Sequence, residues 1–188
     1  LVRLNLHYRV LRKKSFFSGR NENQAKTQVK HAYLNGSESQ ICKRPLPQHF
    51  VKDLLQYDVI SFDLFDTLLL RPLAKPSDLF DIVAKRLNYV GGLTGYKKIR
   101  IDSERAVRDR KQFEHSTREV DIYDIYREVE ARTGINVERG VEAEFLTELD
   151  YCFANPYMLR VFKMLISRGK HIIITSDMYL TSNLLEKL

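Results

Sequence analysis

A chain of 188 residues is long enough to bury a core in one domain, or in one domain carrying a modest insertion. Its 44% apolar and 29% charged residues are ordinary for a globular protein, and no apolar run approaches the roughly 20 residues that a membrane-crossing helix needs. The formal charge of +7 is uneven: residues 1–50 hold ten Lys and Arg against two acids, a net of +8, which leaves −1 on the other 138.

Residues 1–46 show no sustained period. NENQAKTQVKH and NGSESQ are polar, and KRPLP closes the stretch with two prolines, so 1–46 reads as a basic leader or linker. Such a stretch can touch nucleic acid or a membrane surface. Aromatics are not interleaved with its cations as on a nucleic-acid platform, so a solvated linker is expected and nucleic acid is not. No apolar stretch of signal-peptide length follows the basic residues. Cys42 and Cys152 are too few for a disulfide framework and read as structural thiols of a reducing compartment.

Residues 47–75 open the folded body. PQHFVKDLLQ, 47–56, places Phe50, Val51, Leu54 and Leu55 on one helical face. YDVISFD, 57–63, is a nearly continuous apolar run, as in a parallel-sheet strand buried on both faces. It ends on Asp63; Asp66 follows three residues later, and Thr67 after it.

Residues 76–154 read as helix without a strand signal. Ser77 is a candidate N-cap with Asp78 in the first turn; Leu79, Ile82, Val83 and Leu87 form a stripe, and Gly91-Gly92 ends the element. Further helices are expected over 95–113, 121–132 and 137–152. The third buries Ile122, Ile125, Tyr126 and Val129 and stops at Gly134. Inside an α/β protein, such a block is an insertion.

Residues 155–188 return to the α/β rhythm. Asn155 is a candidate N-cap, Pro156 a first helical residue and Gly169 a stop for a helix over 157–167. KHIIIT is a second β-branched strand ending on Ser176 and Asp177, and a helix begins near Leu180. Two strands of one parallel sheet, each ending on a polar side chain, would form a crevice at the carboxyl edge. A carboxylate there can hold Mg²⁺ or attack phosphorus, and a hydroxyl with loop amides can bind oxyanions. The plainer alternative is that Asp63 and Asp66 cap a turn.

FDLFDTL, 62–68, resembles the first motif of the haloacid dehalogenase-like hydrolases, Asp-x-x-x-Thr at the end of the first strand. IIITSD, 172–177, resembles their second motif, and the helical block resembles their cap. The resemblance covers residues 47–188. It implies an α/β fold, a Rossmannoid parallel sheet with an inserted all-helical cap, incomplete here. It implies Asp63 as the nucleophile forming an aspartyl-phosphate, Mg²⁺ held by Asp63 and the backbone carbonyl of Phe65, Thr67 ordering the loop, and Ser176 binding a phosphate oxygen. The carboxyl of Asp63, beside the ion, would be depressed and so stay ionised. With SDMYL after the second strand, Arg100, Glu104 and Arg108 at i, i+4, i+8 resemble a bacterial branch joined to glycosyltransferases of surface-polysaccharide pathways. Arg100 and Arg108 then either reach the substrate or form a charged face paired within the cap.

Two departures from the family pattern matter. Its phosphatases carry a general acid two residues after the nucleophile, where this chain has Phe65; general acid–base help is worth ~10²–10⁴ in rate. Asp66, where the family often has Gly, either replaces that acid or points away from the site. The family's third and fourth motifs, a Lys and acidic Mg²⁺ ligands, belong beyond Leu188. The chain begins with Leu and stops inside an expected helix, so a piece of a longer protein is expected, inactive or nearly so by itself.

The expectation is a cytoplasmic, Mg²⁺-dependent phosphatase of a small phosphorylated metabolite, with a sugar phosphate the favoured substrate and a fused glycosyltransferase a possible partner. The alternatives are an enzyme of this fold with a non-phosphoester leaving group, and a catalytically silent binding module. Glu142, Glu144 and Glu148 read as a solvated helix face, the five histidines show no ligand spacing, and Lys170 reads as a solvated helix-end cation.

Overall fold

The computed structural model describes residues 45–91 and 93–188; of the leader expected at 1–46, only Pro45 and Leu46 fall within this range. In chain order the elements are α1 (Pro47–Leu54), β1 (Val59–Asp63), β2 (Leu69–Leu70), a 3₁₀ turn (Pro76–Asp78), α2 (Leu79–Arg86), α3 (Leu93–His115), α4 (Ile122–Thr133), α5 (Val137–Tyr151), β3 (Phe153–Ala154), α6 (Pro156–Ile166), β4 (His171–Thr175) and α7 (Ser182–Leu185). The architecture is mixed α/β, a small parallel sheet of two strands plus helices, consistent with an incomplete Rossmannoid core. The chain divides into two compact units, one ending at Ala74 and resuming over Cys152–Asp177, the other comprising Lys75–Tyr151 and Met178–Leu188. Residues 178–188, expected to continue the α/β core, thus group with the helices.

In the α/β unit, β1 and β4 pair in parallel, Val59 opposite His171 and Asp63 opposite Thr175. Alternation along β1 turns Ile60 and Phe62 to one face. There they join Phe50, Val51 and Leu54 of α1 and Met158, Val161 and Leu165 of α6 in one apolar cluster. The expectation of burial on both faces is corrected: Val59 and Ile173, on the face opposite Ile60 and Phe62, are 44% and 48% exposed, and Ile174, level with Phe62, is 51% exposed. Asn155 caps α6, its side chain accepting from the amides of Tyr157 and Met158. Lys170 is more than a solvated cation, since its Nζ donates to the carbonyls of Leu55 (2.7 Å) and Tyr57 (2.9 Å), closing the open end of α1. β2 and β3 pair antiparallel over two residues each, too short for any period to announce them.

The helical unit buries the expected face of α4, Ile122, Ile125, Tyr126 and Val129. Asp121 and Asp124 form a reciprocal capping box at its start, and Gly134 ends it at φ +73°. Gly140 of α5 lies so close to Tyr126 that a Cβ there would sit 2.3 Å from the ring. Ser77 is not an N-cap. A 3₁₀ turn precedes α2, with the Asp78 carboxylate accepting from the Lys75 amide (2.9 Å). α2 ends before Gly91, where Asn88 takes the left-handed conformation (φ +51°). Among the described residues, no helix is long and apolar enough to cross a membrane.

Candidate functional site at the carboxyl end of the parallel strands

The register puts the carboxyl ends of β1 and β4 side by side. Asp63 closes β1 opposite Thr175, and Ser176 and Asp177 are the next two residues out of β4. The Leu64 amide donates to the Thr175 carbonyl (3.1 Å), carrying the pairing one residue beyond the strand. The chain then turns sharply, and the amides of Leu68 and Leu69 both donate to the Leu64 carbonyl (2.9 and 2.8 Å). Within this loop the Thr67 hydroxyl donates to Asp63 Oδ2 (3.2 Å). Asp63, Thr67 and Ser176, singled out in the sequence, therefore stand at one sheet edge.

Electrostatics at this edge are unfavourable for a charged carboxylate. Burial raises the Asp63 carboxyl above its ordinary value, and the charges of Asp177 and Asp66 add to the rise; the Thr67 hydroxyl and the Leu64 amide oppose it. A depressed value is expected only beside a divalent cation, whose field inverts this balance.

Asp66 takes φ +57°, the left-handed region that favours Gly and is several-fold enriched in Asp and Asn among other residues. This is the physical reason that a Gly suits the position. Its Oδ2 is 3.4 Å from an Arg71 guanidinium nitrogen, and the same guanidinium lies 4.8 Å from the centre of the Phe65 ring. Phe65 is buried. The position expected to carry an acid is thus an apolar ring under a cation, and the carboxylate considered as its replacement is engaged by that cation. Arg71 was missed in the sequence; the only signal is a lone cation closing the LLL run.

Arg100 and Arg108 serve the interior and rim of the helical unit. Arg100 is 0% exposed. Its Nε and Nη2 grip Glu144 (2.8 and 2.9 Å), Nη1 reaches Glu104 (3.1 Å), and the guanidinium lies over the rings of Phe80, Tyr126 and Tyr179. Tyr126 donates to Glu144 as well (2.8 Å), and its hydroxyl meets that of Tyr96 (3.0 Å). A substrate anion would have to displace Glu144 from a bidentate pair in a dry interior, so Arg100 is corrected from a substrate ligand to a structural cation. Arg108, partly exposed, bonds Glu104 and the carbonyl of Arg118. Glu144 and Glu148 are buried rather than solvated, because their face of α5 is turned inward; Glu142 is exposed.

Among the described residues, no group of three His, Cys, Asp or Glu side chains is placed to hold a metal ion. The Asp63 carboxylate and the Phe65 carbonyl are hard oxygen donors of the kind Mg²⁺ takes, and the repulsion of Asp63 by Asp177 and Asp66 is what a cation relieves. They fit such an ion as part of a donor set. No family model matches the chain, and no curated protein matches it.

Proposed function

We propose that the chain carries the paired strand ends of a cytoplasmic haloacid dehalogenase-like hydrolase, Mg²⁺-dependent and acting on a small phosphorylated metabolite, with sugar phosphates the favoured class. One observation carries this reading: the parallel register sets Asp63 level with Thr175, one residue before Ser176.

In this mechanism an Asp63 carboxylate oxygen attacks phosphorus, the bond from phosphorus to the ester oxygen breaks, the alcohol leaves with a proton taken from water, and an aspartyl-phosphate forms. Water then attacks that acyl phosphate, inorganic phosphate is released, and the Asp63 carboxylate is regenerated. Thr67 holds Oδ2 and so fixes the rotation of the carboxylate. Ser176 donates to a phosphate oxygen from the neighbouring strand end. Asp63 and the Phe65 carbonyl would hold Mg²⁺, which when bound neutralises charge on the phosphate as the anionic nucleophile approaches.

A second reading, hydrolysis of a bond whose leaving group departs without a proton, is favoured by the buried Phe65 and by the engagement of Asp66 with Arg71. A panel of phosphorylated metabolites with Mg²⁺, assayed on the complete polypeptide, separates the two. The first expects turnover of sugar phosphates. The second expects turnover confined to activated esters or other activated bonds. No turnover of either class contradicts both.

A further inference from the structure

Asn155 does two separable things. As the N-cap of α6 it needs only Oδ1, which accepts from the amides of Tyr157 (3.1 Å) and Met158 (3.4 Å). Ser, Thr or Asp supplies such an acceptor as well. The other half of the amide points elsewhere: Nδ2 donates to the Thr67 carbonyl (2.9 Å), and the Asn155 backbone amide donates to the Leu68 carbonyl (2.7 Å). Asn155 is 1% exposed, so these bonds have no competition from solvent. Among the common capping residues only Asn joins a carbonyl acceptor to an NH₂ donor on one planar group. The loop that follows Asp63 is therefore bolted to the start of a helix 88 residues further on.

We propose that Asn155 is a positioning residue for the Asp63 carboxylate. By fixing the peptides at Thr67 and Leu68 from outside the loop, it holds the Thr67 hydroxyl in place against Asp63 Oδ2. The contacts run from Asn155 Nδ2 to the Thr67 carbonyl, through the Thr67 side chain, and onto the nucleophile. The role rests on the reading of Asp63 as a nucleophile, and it asks more of Asn155 than helix capping. A loop held only by its own turn bonds to the Leu64 carbonyl would leave the Thr67 rotamer unsupported. A displacement of about 1 Å at a reacting group can cost about 100-fold in rate.

The test uses Asn155→Ser, which keeps a capping oxygen and loses the donor, together with Thr67→Val and the double variant, in the complete polypeptide. Amide exchange in the metal-free protein is expected to quicken at least about tenfold at Leu68 and Leu69 and to stay unchanged along α6. With the substrate found in the metabolite panel, kcat is expected to fall about 10- to 100-fold with KM within about twofold. The double variant should be no slower than Thr67→Val, because both changes break one chain of contacts. Unchanged exchange at Leu68 and Leu69, or losses in kcat that multiply in the double variant, would overturn the positioning role. Formation of a beryllofluoride adduct on Asp63, followed by fluorine NMR, keeps the two readings apart. If the parent protein forms no adduct and turns nothing over, the nucleophile itself is withdrawn and the positioning role with it. If it does both and Asn155→Ser changes neither exchange nor kcat, only the role of Asn155 is withdrawn.

Discussion

The interior of the helical unit takes a carboxylate wholly out of water and the carboxyl end of β1 takes one partly out, and they treat the charge in opposite ways. In the helical unit, Glu144 meets two nitrogens of Arg100 and the hydroxyl of Tyr126, and neither Glu144 nor Arg100 is exposed. Attraction and hydrogen bonds offset the cost of desolvation. At β1, Asp63 meets the Thr67 hydroxyl and the Leu64 amide and feels two further carboxylates, Asp177 and Asp66. Attraction dominates the first region, while the second sets like charges around a half-buried carboxylate. Perturbed carboxyls at a sheet edge are where chemistry is to be sought. The difference also shows that residue type alone misleads: the arginine best spaced to reach a substrate belongs to the interior.

The largest expected effect is at Asp63. Asp63→Asn in the complete polypeptide is expected to cost at least about 10³-fold in kcat with the fold intact by circular dichroism, because an amide is no nucleophile. Full turnover by that variant would remove the distinction between the two regions.

Next in size is the paired interior. Arg100→Met leaves Glu144 buried without its cation and is expected to cost about 3–5 kcal/mol in urea unfolding, whereas Arg100→Met with Glu144→Leu should recover most of the loss. A small effect from the single change would mean that Glu144 is not held as described.

Asp66 sharpens the boundary between chemistry and backbone. Asp66→Asn keeps a side chain that tolerates φ +57° and removes the carboxylate, so stability should stay within about 1 kcal/mol. Asp66→Val should cost about 1–3 kcal/mol. Turnover by Asp66→Asn near the parent rate is expected if Asp66 is a turn residue; a loss of about 10²-fold or more would make it the missing acid.

The smallest effect is on pH. Burial, followed by Asp177 and Asp66, raises the folded carboxyl of Asp63 above its ordinary 3.8, so the folded chain holds that proton more tightly than the unfolded chain. Stability contributed by Asp63 therefore falls as pH rises from the ordinary value through the folded one, and the cost is complete above both. Asp63→Asn should raise the melting temperature slightly at pH 7, and the gain should vanish below about pH 3.8. A gain that persists in acid would assign the effect to packing.

Much of this geometry was legible in the sequence because it is local. Two apolar runs ending on Asp63 and on Ser176 announce strands and their polar ends, and Asn155-Pro156 announces the start of α6. What the sequence hid depends on distant partners. The spacing of Arg100, Glu104 and Arg108 reports i, i+4 neighbours but not Glu144, 44 residues further on. Tyr179 follows the second strand closely, yet it packs on Arg100 in the helical unit, because no local period records which unit claims a segment. The left-handed turn at Asp66 and the grip of Asn155 on the Thr67 carbonyl are set by backbone conformation and tertiary approach, which residue order does not display.

Chemical trapping asks most directly whether Asp63 attacks the substrate. Borohydride added during turnover of the complete polypeptide reduces an aspartyl-phosphate to homoserine, which peptide mass spectrometry can locate. Substrate-dependent homoserine is expected at position 63 and is expected to be absent from Asp63→Asn. Sustained turnover with position 63 unmodified, or with the label on another carboxylate, would contradict it.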